Sequence, residues 1–288
     1  MRLGDFAVYR DLLLQESGVD INPEKTYLLE SRLTPVVHKW GYPTIESMTL
    51  ALRAVPDPEL IHDVVQAMTQ TETWFFRDKH NFEALQHVVV PYLMKQRKRK
   101  KTLNIWSAGC STGQEVWSIA MSMVRAYEGH KGWKYHITAT DISNEAVEYA
   151  ERAIYNRHES QSETSIHDLI RFFEQSRMGW NVKQELKNCV DFRISNLLHE
   201  SEDMGPQDII FCCNVIDDFS PESRTRIFET LSYHLPEDGF LFIGSEDKWQ
   251  NESPMFTTLP GYPSILIRAD GDYKYSDFPK MPEKETAR

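Results

Sequence analysis

The sequence predicts an α/β protein: a doubly wound, largely parallel sheet with helices on its faces, preceded by an all-helical N-terminal segment. Three observations carry this reading. Up to about residue 70 the apolar residues recur only at helical spacing. After residue 100, short apolar runs alternate with amphipathic helical stretches, as in a parallel sheet whose crossovers are helices. The first of those runs ends in a small-residue, glycine-bearing loop that opens directly into a helix.

In the N-terminal segment, Asn22-Pro23 marks a helix start, a capping side chain followed by proline at the first helical position. Leu28, Leu29, Leu33 and Val36 then share one face, and DPELIHDVVQAM repeats the pattern with Leu60, Ile61, Val64, Val65 and Met68. LNIWSAG, Leu103 to Gly109, reads as a buried strand, Gln114 to Tyr127 as a helix, and YHITATD, Tyr135 to Asp141, as a second strand. A helix from about Asn144 to Tyr155 follows, capped by Ser143. Later strands are VDFRI (Val190 to Ile194), DIIFCCN (Asp208 to Asn214) and GFLFIGS (Gly239 to Ser245). Ser220-Pro221 opens a helix that ends near His234, and SILIRA (Ser264 to Ala269) is expected antiparallel to GFLFIGS at the sheet edge.

Residues 156–189 interrupt the alternation and read as an insertion with a helix and a small antiparallel element. Insertions of that size beside a site handle a partner or cover a ligand. The polar stretch 270–288 is expected to be a loose tail. The predicted organisation is thus a helical domain over 1–70 and an α/β domain over 71–288.

Composition narrows the function. With 32 Lys+Arg against 43 Asp+Glu the formal charge is −11, which argues against general nucleic-acid binding. No run of eighteen apolar residues is present, so no membrane span is predicted, and MRLGDFAVYRDLLL lacks the features of a secretory leader. Cys110, Cys189, Cys212 and Cys213 show no metal-ligand spacing, so no metal is expected, and reduced thiols suit a cytoplasmic protein. The basic run Lys95 to Lys101 reads as a solvated helix end or connector, with a docking patch for an acidic partner as the alternative.

The chemistry concentrates at predicted strand ends. In SAGCSTGQE, residues 107 to 115, Gly109 and Gly113 permit tight turns and close backbone approach, though a plain strand–helix turn would look the same. The spacing is GxxxG rather than the dinucleotide GxGxxG, which argues against a dehydrogenase. Asp141 suits a carboxylate accepting both hydroxyls of a ribose; the alternative is a charge favouring the N-terminus of the next helix. Glu115, in a first helical turn, is open to the same capping reading. TETWFFRD, Thr71 to Asp78, places Arg77 among three aromatics, where it needs a structural carboxylate or an anionic ligand.

Taken in order, TETWFFRD, IWSAGCSTGQEVWSIAM, TATDIS, VDFRISNLL and IIFCCNVIDDFS resemble the CheR family of chemotaxis receptor methyltransferases. The resemblance spans nearly the whole chain. It implies a Rossmann-like class I methyltransferase sheet, S-adenosylmethionine as cofactor with S-adenosylhomocysteine as product, and methyl transfer to glutamates on receptor signalling helices. Residue by residue, it implies that Thr71, Thr73 and Arg77 line the cofactor, Arg77 beside its methionyl carboxylate and the transferring methyl. Glu115 matches the acid at the cofactor's amino-acid end, Asp141 the acid on the ribose, and Asn196 and Leu197 the pair framing the adenine. Cys213 and Asn214 match the pair near the cofactor and the acceptor's path. The insertion resembles the family's small β-subdomain, which in some members grips a receptor's C-terminal peptide. A monomer is expected.

The chain departs from the family pattern in places. Cys213 stands where arginine is usual, and Asp218 where a tyrosine hydroxyl faces the acceptor; a carboxylate there would repel an anionic glutamate. GQEVW replaces GEEPY. The turn at Ser176 to Gly179 is short, and the helix expected to face the receptor carries only Arg32, His38 and Lys39. The alternatives these departures raise are a cofactor-binding sensing or docking module, or a methyltransferase of another acceptor.

Overall fold

The computed structural model describes residues 3–69, 72–161, 164–199, 204–247 and 253–281. The N-terminal domain is α1 (Leu3–Ser17), α2 (Thr26–Lys39), α3 (Ile45–Ala54) and α4 (Pro58–Met68), closed around Tyr9, Leu13, Leu29, Leu33, Met48 and Val64. Asn22 caps a short 3-10 turn, Pro23–Lys25, that leads into α2, and Asp57 caps α4 through the N–H groups of Glu59 and Leu60. A connecting helix follows, α5 (Lys79–Ala84) running through a π-helical turn into α6 (Val90–Gln96).

The α/β domain then runs β1 (Thr102–Ala108), α7 (Gln114–Ala126), β2 (Lys134–Asp141), α8 (Asn144–Arg152) and β3 (Ile154–Tyr155). The insertion holds α9 (Arg157–Gln161), α10 (Ile166–Phe172), β4 (Phe173–Ser176), β5 (Gly179–Val182) and α11 (Gln184–Lys187). After β6 (Val190–Ile194) come β7 (Ile209–Cys212), α12 (Pro221–His234), β8 (Phe240–Ile243), β9 (Phe256–Leu259) and β10 (Tyr262–Arg268). A seven-stranded sheet has the order β6-β2-β1-β7-β8-β10-β9, parallel from β6 to β8 and antiparallel beyond. Its strands are buried on both faces: Ile209, Phe211, Phe240 and Phe242 join one core, while Ile210, Cys212, Leu241 and Ile243 join the other. The strand order reverses between β1 and β7, which opens a crevice at their carboxyl ends.

Four expectations need correction. Helix α8 stops at Arg152 rather than Tyr155, because Ala153 turns left-handed (φ +54°) and the next two residues pair with β5. The insertion carries three short helices instead of one, and its expected antiparallel element is there: β4 and β5 form a three-stranded sheet, β3-β5-β4, with the strand just before the insertion. β10 does pair with β8, but β9 occupies the edge. The segment 270–281 is not loose: Tyr273 is buried, its hydroxyl donates to the Gly239 carbonyl (2.5 Å), and Phe278 stacks on Tyr92 with centroids 4.1 Å apart. Residues 282–288 of the expected tail lie outside the described residues.

The basic run is split between two roles. Arg97 pairs with Asp208 and Asp238, and Lys95 with Asp277 at 2.7 Å, whereas Lys98, Arg99 and Lys101 face solvent. No helix among the described residues is long and apolar enough to cross a membrane.

The two domains are clasped at the crevice. Gly18 to Asp20 lie alongside Asp218 to Ser220 as a short antiparallel bridge, with Asp20 N–H donating to the Asp218 carbonyl (2.9 Å) and Ser220 N–H to that of Gly18 (3.1 Å). Gln66 Nε2 donates to the Ile142 carbonyl (3.0 Å), and Asn196 Nδ2 to that of Glu16 (3.1 Å).

Candidate active site

The loop after β1 is shaped by its glycines. Gly109 (φ +85°) sits where a Cβ would meet Val215 at 2.6 Å, and Gly113 (φ +93°) where one would meet Ala150 at 2.7 Å and the Tyr155 hydroxyl at 2.8 Å. The N–H groups of Gly109 and Cys110 both donate to the Thr140 carbonyl (2.8 and 2.9 Å), which carries the strand pairing on into the loop. Ser111 N–H donates to Asp141 Oδ2 (2.7 Å) and Ser143 N–H to Oδ1 (2.9 Å). Burial raises the Asp141 carboxyl's pKa and these amides oppose the shift. Each oxygen keeps a further lone-pair site, so both can still accept from a pair of hydroxyls.

Glu115 lies in the first turn of α7. Ser107 Oγ donates to its Oε1 (2.7 Å), and no basic side chain among the described residues pairs with it. Burial pushes its pKa up to about 7; the Ser107 and Cys213 hydrogen bonds oppose the shift, and the carboxylates of Asp247 and Asp78 add to it. A bound cation would return it toward the ordinary range. The Cys213 thiol is itself pushed well up, first by burial and then by Glu115 and Asp247, so it stays protonated and neutral.

Within TETWFFRD the three aromatics have different roles. Phe75 is fully buried, edge-on to Tyr155 and Phe173, and Phe76 is half-buried, its N–H donating to Ser118 Oγ (2.9 Å). Trp74 is exposed and carries the Arg77 guanidinium 4.5 Å above its ring. Arg77 Nη1 donates to the Glu72 carbonyl (2.8 Å), and among the described residues no carboxylate pairs with it. Its charge is therefore available to an anion in the cavity.

Asn214, just past β7, is left-handed (φ +59°) and is held by its N–H to Asp247 Oδ2 (2.9 Å), which also accepts from Gly244 N–H (2.6 Å). Asp247 was not singled out from sequence; its place just past the GFLFIGS strand, at a carboxyl end, was the available signal. A cavity of about 320 Å³ between the domains is lined by Arg77, Gly109, Asp141, Asn196, Leu197 and Asn214. An adjoining recess, lined by Thr73, Glu115 and Cys213, shares Arg77, Gly109 and Asn214 with it. The described site residues thus converge on one cleft, while Thr71 lies outside the described residues.

Other lining residues were not anticipated as part of the cavity. Ile142 and Val215 follow the ends of β2 and β7, and Asp20, Lys25 and Arg32 reach in from the helical domain. Arg32 therefore turns inward, its Nη1 on the Met68 carbonyl (2.7 Å), rather than presenting an outer face. No group of three potential metal ligands is clustered among the described residues. The cleft suits an elongated ligand with adjacent hydroxyls at Asp141, a cation at Glu115 and a flat apolar end near Leu197 and Ile142.

The CheR methyltransferase S-adenosylmethionine-binding domain matches residues 71–264, and the CheR all-alpha domain matches 4–69. Among curated proteins, the chain is 30% identical over 269 residues to the chemotaxis protein methyltransferase Cher2 of Pseudomonas putida, covering 92% of this chain and 98% of that one. It is 32% identical over 266 residues to the chemotaxis protein methyltransferase of Vibrio parahaemolyticus, covering 90% and 96%. To the chemotaxis protein methyltransferase 1 of Pseudomonas aeruginosa it is 31% identical over 269 residues, covering 92% and 97%. Both domains are matched by models of one family, and the chain belongs to it: it is an S-adenosylmethionine-dependent methyltransferase of the CheR family.

Proposed function

We propose that the chain methylates glutamate side chains on the cytoplasmic signalling helices of chemotaxis receptors and so tunes adaptation. The observation that carries this reading is that one cleft brings together Asp141 and Glu115, which suit the cofactor, and Arg77, whose guanidinium has no carboxylate partner among the described residues. When bound, S-adenosylmethionine supplies a sulfonium methyl group that needs no further activation. Asp141 would accept its ribose hydroxyls, Glu115 would face its amino group, and Asn196 and Leu197 would frame its adenine. Thr73, Cys213 and Asn214 would line its path, with Thr71 assigned from the family motif alone.

An acceptor carboxylate is nucleophilic at pH 7 without a general base, so the protein has to bring it within roughly 3–3.5 Å in line and exclude water. Arg77, stacked on Trp74 and without a carboxylate partner among the described residues, is the group assigned to orient that acceptor or the cofactor's carboxylate. The helical domain closes one side of the cleft, which supports a protein acceptor presented across both domains. Cys213 adds no charge to the site, and Asp218 has Lys25 3.5 Å away, which favours turnover over a silent binding module.

The test is transfer of labelled methyl from S-adenosylmethionine to receptor signalling fragments, followed by mild alkali. Alkali-labile label on glutamates is expected. Cofactor binding without any transfer would favour the docking module instead.

A further inference from the structure

The mouth of the cleft holds a carboxylate that the proposed chemistry does not use. Asp218 ends a short 3-10 turn, Ile216–Asp218, lines the cavity, and is half exposed. Its backbone is fixed by the Asp20 N–H bond, so the residue cannot swing away without opening the bridge between the domains. An anionic acceptor nearing Asn214 and Arg77 would meet this charge. From the other domain Lys25 places Nζ 3.5 Å from Asp218 Oδ1, itself half exposed and also lining the cavity.

The neighbouring charges leave Lys25 as the compensating group. Asp20 is engaged by Arg10, at 2.6 and 3.0 Å, and so leaves Lys25 to Asp218. Arg32 is directed at the Met68 carbonyl, and Arg77, held by the Glu72 carbonyl, is already assigned to the acceptor or to the cofactor's carboxylate. Glu72 adds a second exposed carboxylate to the rim.

We propose that Lys25 and Asp218 form a charge-compensated pair at the acceptor's approach, in which Lys25 admits an anionic side chain past Asp218. The inference rests on the glutamate reading above and makes Lys25 a specificity-determining residue supplied by the helical domain. The pair is loose enough for the ammonium to turn one N–H to the incoming carboxylate while the others remain near Asp218. A neutral acceptor would gain nothing from it.

The test is a two-residue cycle on the full chain. Steady-state transfer to a receptor fragment is measured for the unaltered protein, Lys25→Ala, Asp218→Asn and the double variant, with S-adenosylhomocysteine affinity measured by calorimetry. Lys25→Ala is expected to raise the KM for the fragment about five-fold, the upper range for an exposed charge pair. Asp218→Asn in the Lys25→Ala background should return KM to within about two-fold of the unaltered protein, since the carboxylate that Lys25 compensates is then gone. S-adenosylhomocysteine affinity should not follow this pattern. An unchanged KM in Lys25→Ala, or a loss of equal size with and without Asp218, would overturn the pairing. If the unaltered protein forms no alkali-labile ester at all, the glutamate reading fails and this inference falls with it.

Discussion

The Ser111 backbone N–H donates to Asp141 Oδ2 at 2.7 Å, so the loop after β1 and the end of β2 hold each other in place. The same carboxylate takes the Ser143 N–H that begins the turn into α8. Asp141 is therefore both a support for the glycine loop and the acid assigned to the ribose, and the two roles separate on substitution. Asp141→Asn keeps one accepting oxygen and replaces the other by an NH2 facing a backbone N–H. Loss of a charge-assisted bond of about 1.5–3 kcal/mol predicts roughly ten- to hundred-fold weaker binding of S-adenosylhomocysteine. Calorimetry checks this, and undiminished affinity would remove Asp141 from the cofactor site.

Glu115 makes the site sensitive to pH. Its folded-state pKa is raised from 4.5 to about 7, so the folded protein holds this proton more tightly than the unfolded chain. The linked stability is complete below the unfolded value and is lost as pH rises from about 4.5 through about 7. Cofactor binding has the opposite sign, because the amino group proposed to face Glu115 prefers the carboxylate. Between pH 6 and 8 the affinity for S-adenosylhomocysteine is expected to rise about ten-fold, the change in ionised fraction for a group titrating near neutrality. Glu115→Gln should flatten that dependence, and a slope that survives the substitution would assign it to another group.

Arg77 and Trp74 can be separated in the same way. Arg77→Ala is expected to lower kcat/KM about a hundred-fold, the scale of losing one positioned charge at a reacting centre. Arg77→Lys keeps the charge but loses the planar guanidinium and should recover only part of it. Trp74→Ala removes a cation–π contact worth about 0.5–1 kcal/mol at an exposed site, so a loss of only a few-fold is expected. Equal losses for Trp74→Ala and Arg77→Ala would mean that the stack, rather than the charge, is what matters.

The site was legible in the sequence where it is local. Asp141 ends a strand and Gly109, Asn196 and Asn214 follow one, and a parallel sheet gathers its carboxyl ends at one edge. Lys25 and Asp218 lie 193 residues apart, and their approach depends on how one domain seats on another, which no periodicity encodes. The end of α8 is not legible locally, because Glu151, Arg152 and Ala153 favour helix while Ile154 and Tyr155 are claimed by pairing with Asn181 and Trp180. Arg97 was hidden in a run that looks solvated, since its carboxylate partners Asp208 and Asp238 come from distant loops. Polarity likewise concealed the C-terminal segment, where a few aromatics among charged residues do the packing.

That segment supplies the last prediction. Phe278 lies flat on Tyr92 with an interplanar angle of 6°, edge-on to Phe240, and the Lys274 N–H donates to the Tyr92 hydroxyl at 3.1 Å. Tyr273 also packs edge-on against Phe240 and bonds the Gly239 carbonyl, so the segment is tied to both β8 and α6. A half-buried, stacked ring should cost less than the 3–5 kcal/mol of a core Phe→Ala change, and Phe278→Ala is expected to destabilise by about 2 kcal/mol. A residue on a loose tail would shift stability by no more than about 0.5 kcal/mol, as should the exposed Lys280→Ala. Urea unfolding of both variants separates the two cases. Because the segment lies on the α6 side of the sheet and contributes nothing to the cleft, S-adenosylhomocysteine affinity should be unchanged in Phe278→Ala at temperatures where it remains folded. A loss of affinity without a loss of stability would mean that the cover communicates with the cleft, and would contradict a purely structural role for residues 270–281.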